Sequence, residues 1–177
     1  QEDAPREIWD SLGENEPVDY HKSLTIQDRN RIFDDGYLEV ERGWSIFPDG
    51  TGTCAGIMQF PDATPEMMLW WFSWFPRENL RGRIWEPKNH LNCMITREEF
   101  ERLADDSVPL RERMWGRHFF PIDIGVRPDP NAEPSPIRIS FHSPAEFGLD
   151  EQRLAQLGDS VSVICAQVGP PSLPPMT

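Results

Sequence analysis

The chain has four histidines and three cysteines, so each residue able to do chemistry can be weighed singly. His90 follows Pro87 at the exit of an apolar run. An imidazole there is a suitable ligand for an open zinc site, although a loop histidine is more often bonded to backbone. His118 and His142 lie in alternating, strand-like segments, where a lone histidine is usually hydrogen-bonded rather than ligating. Cys93 stands close to His90, a weak arrangement for a thiol nucleophile. No GxSxG elbow, P-loop, GxGxxG or HExxH motif occurs. Of the 7 tryptophans, Trp70, Trp71, Trp74 and Trp85 fall close together and need a large core or a ligand cavity to cover them.

The elements that position these residues read as follows. Residues 37–47 and 53–60 form a hairpin around the turn Pro48-Asp49-Gly50. Thr64 caps a helix over 65–75, with Pro65 at its first position and Glu66 near the positive end of its dipole. Nearly every face of that helix is apolar, so it is expected to be buried on most sides or to face a cavity. Residues 80–85 read as a strand. Thr96-Arg97-Glu98-Glu99 is a capping box opening a helix to about 104. Residues 118–126 and 137–142 read as strands joined by a proline-rich loop. Residues 149–157 read as a helix stopped by Gly158, and 160–168 as a last strand. The sum is an α+β fold, a mostly antiparallel sheet with interleaved helices.

The chain divides into an acidic arm, 1–36, and a domain, 37–177. The arm has a short helix at 5–12 and a charged stretch at 28–35 that reads as a solvated arm or a homodimer contact. With 30 acidic against 17 basic residues and a formal charge of −13, nucleic acid and anionic membranes are excluded as partners. No apolar run reaches the length of a membrane span. The cysteines are odd in number and widely spaced, which fits no disulfide framework and suggests a cytoplasmic protein. No long amphipathic helix follows 160–168 to cover the sheet, so the stop at Thr177 reads as premature. A proline-rich natural tail is the competing reading.

Three linked segments carry a resemblance. They are Gly43-Trp44-Ser45-Ile46-Phe47-Pro48-Asp49-Gly50-Thr51-Gly52, then Thr64-Pro65-Glu66-Met67-Met68-Leu69-Trp70-Trp71-Phe72-Ser73-Trp74, then Arg81-Gly82-Arg83-Ile84-Trp85-Glu86-Pro87-Lys88-Asn89-His90. In order and spacing they resemble the diacetylphloroglucinol hydrolase family, which includes phloretin hydrolase. The resemblance implies a helix-grip (START-like) fold, a curved antiparallel sheet around a long C-terminal helix. It implies a zinc ion bound by two His and two Glu, and cleavage of the carbon–carbon bond between an acyl group and a phenolic ring. One His-x-x-x-Glu pair of that set has no counterpart in this chain.

Carried over residue by residue, His90 matches the first zinc histidine, and Asp123 stands nearest the place of the next ligand, a Glu in the family. Trp70, Trp71, Trp74 and Trp85 line the implied substrate cavity. Gly82 replaces a family tyrosine that holds or protonates the substrate, which leaves His118 or His142 as the alternative proton donor. Cys93 falls where the family has an asparagine, and Asn92 is the neighbour able to serve. Leu69 and Phe75 make the cavity more apolar than in relatives. Three readings follow: a zinc hydrolase of acyl-phenols, a non-hydrolytic binding or cyclisation protein for a hydrophobic polyketide, and an inactive truncated member. The expected ligand is a small hydrophobic aromatic or polyketide.

Overall fold

The computed structural model describes residues 16–87, 90–123 and 134–170. The expected helix at 5–12 and the strand's continuation beyond 123 lie outside them. The chain forms two compact units, Gln1–Pro61 and Asp62–Thr177.

In the first unit, strands β1 (Gly43–Ile46) and β2 (Gly52–Ala55) form an antiparallel hairpin. It is shorter than the sequence suggests. Gly50 takes a φ of 85° in the turn, a conformation that favours glycine. Asp49 Oδ1 accepts from the backbone and hydroxyl of Thr51. The stretch before the hairpin is held to it, because Val18 N donates to Trp44 O and the buried Ser45 hydroxyl donates to Ser23 Oγ. The charged stretch forms a short 3-10 helix, Arg29–Phe33.

The second unit is α+β. Its helices are α1 (Pro65–Trp74), α2 (Asn79–Trp85), α3 (Arg97–Ala104) and α4 (Glu151–Leu157). Its strands are β3 (His90–Met94), β4 (His118–Asp123), β5 (Ser135–Pro136), β6 (Arg138–His142) and β7 (Cys165–Gly169). They make an antiparallel sheet of order β3-β4-β6-β7, with β5 paired on β4.

Local signals set several ends. Thr64 Oγ1 accepts from Met67 N at the start of α1. Thr96 and Glu99 form the full capping box of α3, and Glu99 is itself buried. Gly158, at φ 60°, ends α4.

Two expectations are corrected. Residues 80–85 are helical, not a strand. Pro76 ends one helix and a second starts at Asn79, with Arg81 paired to Glu78 one turn away. The last strand begins at Cys165, not at 160, because 158–160 continue as a 3-10 turn.

The core is Leu103, Met114, Phe119 and Phe141. Helix α1 lays Leu69 and Phe72 on it. Among the helix's own residues only Ser73 is buried, its hydroxyl donating to Leu69 O. The expected burial on most sides is therefore not found. One stripe packs, and Met67 and Trp70 stand exposed.

Candidate functional site

The tryptophans form a continuous aromatic wall. Trp74 stacks on Trp70 at 5.1 Å between ring centroids and tilts against Trp71 at 5.6 Å. Trp71 meets Trp85 edge-on at 5.8 Å, and Trp85 stacks on the His90 imidazole at 5.0 Å and 24°. Phe75 links the wall to the core, 6.4 Å from Trp85 and 6.3 Å from Phe119. Trp70 and Trp85 remain 48% and 53% exposed. An aryl ring could lie on such a surface without displacing a packed residue.

His90 opens β3, and its amide donates to Glu86 O at 3.1 Å. The backbone register sets His90 opposite Asp123, and an irregularity separates this pair from the next, Asn92 with Ile122. That bulge leaves Leu91 without a register partner, so that His90 and Asn92 oppose successive residues of β4. Asn79 Oδ1 accepts from Cys93 N at 3.1 Å, tying β3 to the start of α2. Sequence reading passed over Asn79, whose partner is fixed only by the fold.

Side chains alternate across the sheet. Phe119, Phe141 and Ile139 turn to the core. His118, Arg138, Ser140 and His142 gather on the other side. Thus the sheet lies between His118 and His142 and the Trp85–His90 stack. Asn92 shares its register position with Ile122, and its Oδ1 is buried with no hydrogen-bond partner among the described residues. The ring nitrogen Nε2 of His142 is in the same condition.

Arg138 Nη2 stands 3.2 Å from His118 Nε2. The same Nη2 is 3.3 Å from His118 Nδ1, which in turn lies 3.1 Å from Ser140 Oγ, so a guanidinium that can only donate shares the ring with the serine hydroxyl. Sequence reading also missed Arg138 and Ser140, although the alternation Arg138-Ile139-Ser140-Phe141-His142 holds the signal: three polar residues on one strand face.

Burial, then the Arg138 charge, pushes the His118 pKa below the ordinary histidine value. The folded chain thus refuses a proton that the unfolded chain accepts. Stability is full above the unfolded pKa and falls as pH drops toward the folded one. His118→Asn keeps a side chain able to bond Ser140 but does not titrate. Between about pH 7.5 and pH 5, thermal melting is expected to fall more steeply for the parent than for His118→Asn. Parallel curves would show that His118 does not contribute.

A cavity of about 700 Å³ in this unit is lined by Leu69, Leu110, Trp115, Pro144 and Leu154, among others. The four tryptophans and the three site histidines are not in its walls. No three His, Cys, Asp or Glu residues come together as a metal group among the described residues. Cys54, Cys93 and Cys165 are not joined in disulfides. Among the described residues, no helix is long and apolar enough to cross a membrane.

The second unit is thus an antiparallel α+β scaffold presenting an aromatic wall that ends on a histidine. The chain belongs to the DAPG hydrolase PhiG domain family, whose pattern matches residues 24–176. It is 28% identical over 155 residues to a phloretin hydrolase of Eubacterium ramulus, covering 85% of this chain and 53% of that protein. It is 29% identical over 163 residues to a 2,4-diacetylphloroglucinol hydrolase of a Pseudomonas species, covering 89% and 53%. A 2,4-diacetylphloroglucinol hydrolase of Pseudomonas protegens is likewise 29% identical, with 89% and 50% covered. The chain spans about half the length of these curated relatives.

Proposed function

We propose that the chain carries the aryl-binding half of a hydrolase that cleaves the carbon–carbon bond between an acyl group and a phenolic ring. The supporting observation is the Trp85–His90 stack at 5.0 Å, set opposite Asp123 in a chain whose relatives are named for hydrolysis of phloretin and diacetylphloroglucinol. The antiparallel sheet is read as part of a helix-grip fold.

Zinc is the proposed cofactor, with His90 and Asp123 as two of its donors. A tetrahedral catalytic ion takes three protein ligands, so these two alone do not fit it. The remaining donors must come from outside the described residues. The roles of the chain's own groups are to bind and to orient. The tryptophan wall receives the phenolic ring by stacking and excludes water from its face. His90 fixes one edge of that wall. The reaction adds the hydroxyl of water to the acyl carbon and a proton to the ring carbon, releasing a carboxylic acid and a phenol.

A second reading, binding of a phenolic polyketide without turnover, is favoured by Gly82. It is buried within α2, and a Cβ there would meet nothing within 4 Å, so this place offers no proton donor. The test is incubation of the protein with 2,4-diacetylphloroglucinol and with phloretin, with zinc supplied and with zinc chelated. Equal amounts of acid and phenol, formed only with zinc, are expected. Tight binding with no product under either condition would replace the hydrolase reading with the second.

A further inference from the structure

We propose that Arg81 is a positioning residue for the aromatic wall, acting through Trp74. The inference rests on the reading of that wall as the seat of the phenolic ring.

Arg81 makes two contacts with one residue. Its Nη1 donates to Trp74 O at 2.8 Å, and its Cζ lies 4.2 Å from the centroid of the Trp74 ring. The carbonyl is the last of α1, where the helix passes into the 3-10 turn Phe75–Arg77. The ring contact places a cation on the electron-rich face of the indole. Holding a backbone oxygen and the ring of the same residue fixes the side-chain torsions between them. The other fork nitrogen, Nη2, pairs with Glu78, which sets the rotation of the guanidinium plane.

Trp74 is the hub of the wall, touching both Trp70 and Trp71. Arg81 itself sits on α2, one turn before Trp85, whose ring carries His90. One side chain therefore links the end of α1 to the helix that presents Trp85. The neighbouring Arg77 adds a constraint. Its pKa is lowered by burial and next by the Arg81 charge, so the Arg81 guanidinium is held in place against a like charge. Its contacts need a planar fork. A lysine ammonium is a point charge and cannot both cap the carbonyl and lie flat on the ring.

The test compares the parent with Arg81→Met, Arg81→Lys and Glu78→Gln. The circular-dichroism couplet from the stacked Trp70–Trp74 pair reports geometry. The Michaelis constant for phloretin, or its dissociation constant from tryptophan quenching, reports the site. Arg81→Met is expected to lose the couplet and to weaken phloretin by about tenfold. Turnover at saturation should change little, and the far-ultraviolet spectrum should be unchanged. Arg81→Lys should fall nearer to Met than to Arg, and Glu78→Gln should soften the couplet less than either. An unchanged couplet and phloretin constant in Arg81→Met would overturn the proposal. So would losses that merely track the unfolded fraction across all three variants. If Arg81→Met does not fold, Arg81→Lys decides by the same two readings. A couplet that depends on Arg81 in a parent that binds no phenol at all would keep Arg81's hold on Trp74 and overturn the proposed function instead.

Discussion

Replacing His90 with alanine is expected to reduce hydrolysis of 2,4-diacetylphloroglucinol by the full protein on the order of 100-fold or more. Residues that only orient a metal ligand are worth about 10–100-fold, and His90 is read as a ligand. The variant confounds two effects, because the ring also stacks on Trp85 at 5.0 Å. An aromatic pair contributes about 0.5–1.5 kcal/mol, so His90→Ala should also melt a few degrees lower. His90→Phe separates them. A phenyl ring can keep the stack on Trp85 but supplies no nitrogen. Activity and zinc content should be lost in both variants, while the melting temperature should recover in His90→Phe. Retained zinc and turnover in His90→Phe would remove His90 from the metal site and leave it a structural member of the wall.

How much of this was legible depends on how local each signal is. The start of α1 was readable because Thr64, Pro65 and Glu66 act on their own helix end. The capping box of α3 was readable for the same reason. Residues 80–85 were misread. Leu80, Ile84 and Trp85 suit a strand, and nothing nearby in the sequence reveals that α2 is held at its start by Asn79 on Cys93 and by Arg81 on Trp74. Val161 and Val163 alternate as a strand should, yet pairing with β6 begins only at Cys165.

The site shows the same division. The histidines at 118 and 142 were visible, but their side of the sheet was not. Register is a non-local property, and a shift of one residue exchanges the two faces. The pairing of Phe119 with Ile139 places His118 beside Ser140 and away from the tryptophan wall. Likewise the position of His90 opposite Asp123 depends on the bulge before Asn92, which no motif announces.

That register has a thermodynamic consequence, and Phe119→Ala is expected to expose it. Phe119 is 0% exposed. Its ring lies 4.6 Å from Phe141 and meets Phe75 edge-on at 6.3 Å. Truncating a buried phenylalanine costs about 3–5 kcal/mol, part in lost transfer energy and part in the cavity left behind. Small domains are stable by only about 5–15 kcal/mol, so a large share of the second unit's stability should disappear. The loss should also reach the wall, because Phe75 joins Phe119 to Trp85. Phe120, the next residue on β4, is half-buried and turns to the opposite side of the sheet. Phe120→Ala should therefore cost less than half as much in urea unfolding of the same protein. Equal costs for the two would mean that β4 does not hold this register. The separation of His118 and His142 from the Trp85–His90 stack would then have no structural basis.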